Sequence, residues 1–324
     1  MLDLSADVAV VGAGVIGLTT ALRLQQAGAR VTVLTEVPPR LTTSAVAAAV
    51  WFPTRVERSR RVVDWSATAF AEFARQAADG VPGVLLRPTH MLTRQAAPPE
   101  PWWAPAVPDL RRLAPAELPP GYPAGWVFTA PSVEMPRYLD WLLERFRRHG
   151  GAVVQRRLDS LRQAAELAPT VVNASGLGAR ELCRDQAVHP VRGQVVLVRN
   201  PGLRTSLRIQ DHPDGYTYVH PRSADVVLGG TFEVDSWDTT ADPETARSIL
   251  RRCTGVVPEL RDAEVLGGLA GLRPARRGGV RLEADDRSLP GTLLVHNYGH
   301  GGAGVTLSWG CAAAAAELAA AGPG

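Results

Sequence analysis

The sequence predicts an α/β fold with a mostly antiparallel second sheet, and three observations carry the prediction. Gly12-Ala13-Gly14-Val15-Ile16-Gly17 stands between an apolar run and a stretch of helical periodicity. A second apolar run follows and ends on an acid, Glu36. The later half of the chain holds several short strand-like runs divided by turn residues.

Val8 to Val11 is a continuous apolar run ending in glycine, as a buried parallel strand does. Leu18, Ala21, Leu22 and Leu24 give Gly17 to Ala27 its helical period, and Gly28 stops it. Arg30 to Leu34 completes a βαβ unit. Val62 to Ala78 reads as an amphipathic helix. From Pro98 to Pro123 the chain carries nine prolines and is expected to be mostly irregular, laid over a second lobe. Pro136 to His149 is a further helix, with proline in its first turn and Gly150 at its end. Strands are expected at Ala152 to Val154, Val171 to Asn173, Gln194 to Val198, Tyr216 to His220 and Val226 to Leu228. A last helix runs from about Val305 to Ala321.

Composition narrows the function classes. A chain of 324 residues, 45% of them apolar, can bury a sizeable core. The net charge of +3 is small and the arginines are scattered, so no nucleic-acid partner is expected. No apolar run reaches the roughly 18 residues of a membrane span, and Met1-Leu2-Asp3-Leu4-Ser5 lacks the basic start of a signal peptide. Cys183, Cys253 and Cys311 show no paired spacing, which fits free thiols in a reducing cytoplasm. His296 and His300 are four apart, but glycines flank His300 and no third ligand is evident, so no metal is expected.

The glycine-rich turn carries the chemistry. Gly12 permits the tight turn, Gly14 lets the backbone approach a pyrophosphate, and Gly17 lets helix pack on strand. The helix N-terminus offers free N–H groups to phosphate. Glu36 stands where a carboxylate takes ribose hydroxyls, which disfavours a 2′-phosphate. Near the C-terminus, Gly299-His300-Gly301-Gly302-Ala303-Gly304-Val305-Thr306 holds four glycines within six residues. Such density would weaken an ordinary strand or helix, and it suits a backbone passing close to a flat ligand. The run Thr42-Thr43-Ser44-Ala45-Val46-Ala47-Ala48-Ala49-Val50-Trp51 fits either packing against phosphates and a ring edge or the cap of an Ala-rich helix.

Taken with Arg192-Gly193-Gln194, Leu228-Gly229-Gly230, Gly271-Leu272-Arg273-Pro274 and His296-Asn297-Tyr298, these segments resemble the FAD-dependent D-amino acid oxidases. The resemblance implies a Rossmann-like FAD-binding domain assembled from discontinuous segments (1–58, 132–188 and 278–324). An α+β substrate domain (59–131 and 189–277) would pack on it, with the active site between them. It places FAD against Gly12, Gly14, Val15, Ile16, Gly17, Glu36, Thr42, Thr43, Ser44, Ala48, Ala49, Val50, Leu158, Ser175, Gly176 and the segment Gly299 to Thr306. Arg273 would clamp the substrate carboxylate, Tyr218 would add a hydrogen bond, and the Gly302 carbonyl would accept the amine. Tyr216 either replaces a lid tyrosine or packs beside Tyr218. Ala303, where animal members have an aromatic, would open space near the flavin. Phe52, where they have a polar residue, implies a pocket for neutral, apolar or aromatic side chains. The expected partners are a D-amino acid and dioxygen, with a homodimer allowed. The alternatives on this fold are a D-aspartate oxidase, whose second carboxylate Arg222 and His220 leave room for, a glycine or sarcosine oxidase, and a D-amino acid dehydrogenase. An NAD-dependent dehydrogenase or a non-catalytic binding protein are the rivals from other classes.

Overall fold

The computed structural model describes residue 4, residues 7–53 and residues 55–322. Two sheets organise it. The first has six strands in the order Arg281–Asp285, Leu293–Tyr298, Thr170–Asn173, Asp7–Val11, Arg30–Thr35 and Ala152–Gln155. All neighbours run parallel except the first pair. The apolar run at Val8 therefore becomes a central strand, buried on both faces. Helices Val15–Gln26, Arg60–Ala78, Met135–Arg148 and Gly304–Ala321 share one core, in which Leu18, Leu22, Phe73, Leu139, Phe146 and Trp309 are buried. The carboxyl ends of the parallel strands open a crevice at one edge, where open α/β sheets take ligands.

The second sheet has nine strands and is almost wholly antiparallel; Val84–Thr93 and Ser206–Ile209 form its parallel pair. Helix Pro243–Val256 covers it, burying Ile249 and Cys253 against Val196, Val198 and Leu228. Asp242 caps this helix through Thr245 N at 2.6 Å. Strand Val265–Arg276 lies along Val188–Arg199 for that strand's length up to Val198.

Several elements differ from the sequence expectation. Val84–Thr93, Ala124–Val133 and Val265–Arg276 are long strands that periodicity does not announce. Pro88 interrupts the first, while Gly267, Gly268, Gly271 and Pro274 dilute the last. Their partners hold them extended. The proline-rich stretch has only short turns and a two-residue strand, as expected. It nevertheless sends Trp103 into a buried cluster, 5.9 Å from Trp51, 5.4 Å from Phe52 and 5.1 Å from Phe128. One expectation needs correcting. Gly301–Ala321 is long and apolar enough, by composition, to cross a membrane. It is 67% buried, packed with helices Val15–Gln26 and Arg60–Ala78 in the shared core, which is why it is apolar all round.

Candidate active site

A cavity of about 480 Å³ runs from the crevice of the first sheet to the face of the second, within the size range of small-molecule sites. Its inner end is the glycine turn. Gly12 has φ +111°, and a Cβ there would lie 2.4 Å from Ala174 O. At Gly17 a Cβ would lie 1.9 Å from Gly12 O, so helix and strand touch through backbone. The first helix begins at Val15, has no acid in its first turn and aims its free N–H groups into the cavity, the setting an anionic pyrophosphate needs. Ser44 Oγ reaches across to accept from Val15 N at 3.0 Å.

The cavity is lined by Gly12, Gly14, Val15 and Ile16 from the turn, by Glu36, Thr42, Thr43 and Ser44, and by Ala48, Ala49 and Val50. Leu158, Ser175, Gly176, His300, Gly301, Gly302, Gly304, Val305 and Thr306 complete this side. Thus sequence segments far apart meet around one elongated space, whose bare backbone at Gly301–Gly304 suits a flat ring. Glu36 at the far end faces Arg157, 3.6 Å away. The open question over Thr42 resolves against capping: it stands at the N-cap of the short helix Thr43–Val46, but its hydroxyl bonds Pro39 O at 2.7 Å. These residues fit a dinucleotide carrying a flat ring. Three expected cofactor positions lie elsewhere. Gly17 sits beneath the turn, Gly299 backs onto the Arg276 side chain, and Ala303 is wholly buried in the helical core. The small side chain of Ala303 therefore opens no space in the cavity; the core fills it.

Arg273, Tyr218, Tyr216, Phe52 and Gly302 line the other end. Arg273 lies on Val265–Arg276, opposite Val191, and its guanidinium lies over Gly193. Its Nη1 donates to Arg192 O and Thr231 O, both at 3.2 Å. Arg192 and Gln194, on either side, fasten the segment Thr231–Asp242: Arg192 pairs with Glu233 at 2.7 Å and Gln194 donates to Asp242 O at 2.7 Å. The Arg-Gly-Gln triplet is therefore two anchors around a gap that admits Arg273. Tyr218 lies over Gly229, where a Cβ would come 2.0 Å from Cζ. Burial pushes the Tyr218 hydroxyl up, while Arg273 and Arg208 pull it down; it stays protonated and able to donate.

Tyr216 packs edge-on against Tyr218 at 5.2 Å and accepts a hydrogen bond from Arg208 Nη1. Its own carbonyl accepts from Gly230 N at 2.8 Å. These contacts place Tyr216 beside Tyr218 and Arg208. Phe52 is held by Thr306, whose hydroxyl accepts from Phe52 N and donates to Phe52 O, each at 3.0 Å. The pocket beside Phe52 is not purely apolar, however, because the Arg208 guanidinium lies 4.1 Å from its ring centroid. Arg222 is committed elsewhere, to Asp225 at 2.5 Å and 2.7 Å. Sequence reasoning missed Arg208 and Phe232, both lining the cavity. A lone arginine between Leu207 and Ile209 was the available signal for the first.

Comparison with known proteins places the chain in a family. Residues 7–318 match the family model DAO, FAD dependent oxidoreductase. A D-amino-acid oxidase of Rubrobacter xylanophilus is 52% identical over 315 residues, covering 97% of this chain and 96% of that protein. A human D-aspartate oxidase is 37% identical over 327 residues, covering 97% and 94%. In fold, a glycine oxidase structure from Geobacillus kaustophilus superposes with a TM-score of 0.83 at 20% identity, covering 97% and 95% of the two chains.

Proposed function

Because the chain belongs to the DAO family of FAD-dependent oxidoreductases, we propose that it oxidises D-amino acids to 2-oxo acids, ammonia and hydrogen peroxide. The observation that carries this reading is Arg273 beside Tyr218, in the same cavity as the glycine turn, with no carboxylate partner among the described residues. Bound FAD supplies the acceptor for the α-carbon hydride and returns the electrons to dioxygen. Gly12, Gly14, Val15 and the Gly301–Gly304 backbone would hold it, and Glu36 would take the ribose hydroxyls. Arg273 binds the α-carboxylate with charge-assisted hydrogen bonds and Tyr218 donates to the same group. The Gly302 carbonyl accepts a hydrogen bond from the amine and so fixes a second group of the α-carbon. Two groups of the α-carbon are then fixed, so only one enantiomer presents its hydrogen while its side chain enters the space near Phe52 and Tyr216. The residues act by orientation, which can contribute on the order of 7–11 kcal/mol, and no protein acid or base is needed. Three free cysteines suit the cytoplasm as the expected setting, with a homodimer allowed.

Replacing Arg273 with alanine is the test. The variant is expected to bind FAD normally while kcat/KM for its best D-amino acid falls about a thousandfold, read by peroxide release. Near-normal turnover would remove Arg273 from the reaction, and a wild-type protein whose flavin no D-amino acid bleaches anaerobically would overturn the reading itself.

A further inference from the structure

Arg208 is a buried cation without a counter-ion. Strand Ser206–Ile209 pairs with Thr217–Pro221 so that Arg208 stands opposite Tyr218, and it lines the cavity. Only 5% of it is exposed. Its neighbours are uncharged: the Tyr216 hydroxyl, His220 Nε2 at 3.3 Å and the face of Phe52. Its Nε has no hydrogen-bond partner. Among the described residues no carboxylate comes within ion-pair distance of it, whereas Arg192, equally buried, has Glu233. Arg252 is also buried without a carboxylate, yet its three nitrogens bond Thr217, Ser248 and Gly230.

Burial pulls the Arg208 pKa down to about 10 and holds His220 well below 6.5. At neutral pH the arginine is therefore charged and the histidine is a neutral acceptor. A charge removed from water and left unpaired is strongly destabilising. A cation so placed is complete only when something entering the cavity brings the anion. Tyr218 feels both Arg208 and Arg273, so two cations flank one tyrosine in one cavity.

We propose that Arg208 binds a second carboxylate on the substrate, making dicarboxylic D-amino acids, of the D-aspartate and D-glutamate class, the preferred substrates. This rests on the reading of Arg273 as the clamp for the α-carboxylate. The apolar ring of Phe52 then shields the side-chain ion pair from water, which strengthens it. A cationic side chain is repelled, and a neutral one leaves Arg208 unmatched.

The test uses the FAD-loaded full chain with D-aspartate, D-glutamate, D-methionine and D-lysine. The better acidic substrate is expected to exceed D-methionine in kcat/KM by about tenfold or more, with D-lysine last. Arg208→Met should lower the acidic value about a hundredfold and raise that of D-methionine; Arg208→Lys should recover part of the loss. Binding gives a readout without turnover. Wild type should bind glutarate more tightly than pentanoate, followed by the shift in flavin absorbance, and Arg208→Met should erase the difference. If D-methionine outperforms both acidic substrates in the wild type, the proposal is wrong while the oxidase reading stands. If no D-amino acid reduces the flavin, the oxidase reading fails, and the glutarate comparison alone decides the anion site. Should Arg208→Met not fold, the wild-type ranking and Arg208→Lys still decide.

Discussion

Two glycines show how single positions divide folding from function. A Cβ at Gly193 would lie 2.2 Å from the Arg273 guanidinium, the far end of a flexible side chain. Gly193→Ala is therefore expected to fold and bind FAD, with its Tm within a few degrees of wild type. Its kcat/KM should fall on the order of a hundredfold, because displacing the clamp weakens a charged contact. Unchanged kinetics would show that Arg273 does not need that gap. The neighbouring Arg192 and Gln194 are buried and fully bonded, so the triplet legible in the sequence has a physical reason. Arg208 was not legible in the same way. Its importance lies in lacking a partner, and the absence of a partner is a property of space, invisible along a chain.

At the scale of elements, the strand–turn–helix at the N-terminus was readable because each residue does local work. Gly12 needs φ +111°, Gly17 needs contact with backbone, and both demands fall within six residues. Gly17→Ala would put a Cβ 1.9 Å from Gly12 O, where only backbone can give way. The expected outcome is a loss of about 1–3 kcal/mol together with a weaker hold on FAD, measured by chemical denaturation and flavin fluorescence. A variant as stable and as yellow as wild type would contradict the close packing. Strand Val265–Arg276 was unreadable for the opposite reason. Its glycines and Pro274 argue against a strand, and its extended form is imposed by Val188–Arg199, some eighty residues earlier. The placement of Trp103 is of the same kind, since nothing in a proline-rich stretch announces which aromatic will be drawn into a distant cluster.

The whole molecule carries three buried histidines that must stay neutral. Burial alone pushes His300 down to about 3; burial, aided by Arg208 and Arg281, holds His220 and His296 below 6.5. Their unfolded counterparts protonate near 6.5, so stability is full above that pH and is lost as pH falls below it. For His300, which stays neutral through this range, the cost is about 1.4 kcal/mol per pH unit and reaches about 2 kcal/mol by pH 5. Carboxylates such as Asp285 and Glu117 titrate lower still, so the window between pH 6.5 and 5 belongs to the histidines. The expected Tm is level from pH 8 to 7 and drops below 6; a flat profile to pH 5 would mean that these rings find protons acceptable where they lie.

Ala275, two residues beyond Arg273, forms an isolated bridge with His300, and a Cβ at Gly176 would lie 3.6 Å from Pro274 Cβ. The arm proposed to grip a metabolite thus touches the shelf proposed to carry the prosthetic group. Occupancy at either end must then register at the other by an equal factor, since such linkage is reciprocal. A non-reactive acid lodged on the guanidinium would then raise the affinity for the yellow cofactor, and stripping that cofactor would lower the affinity for the acid by the same factor.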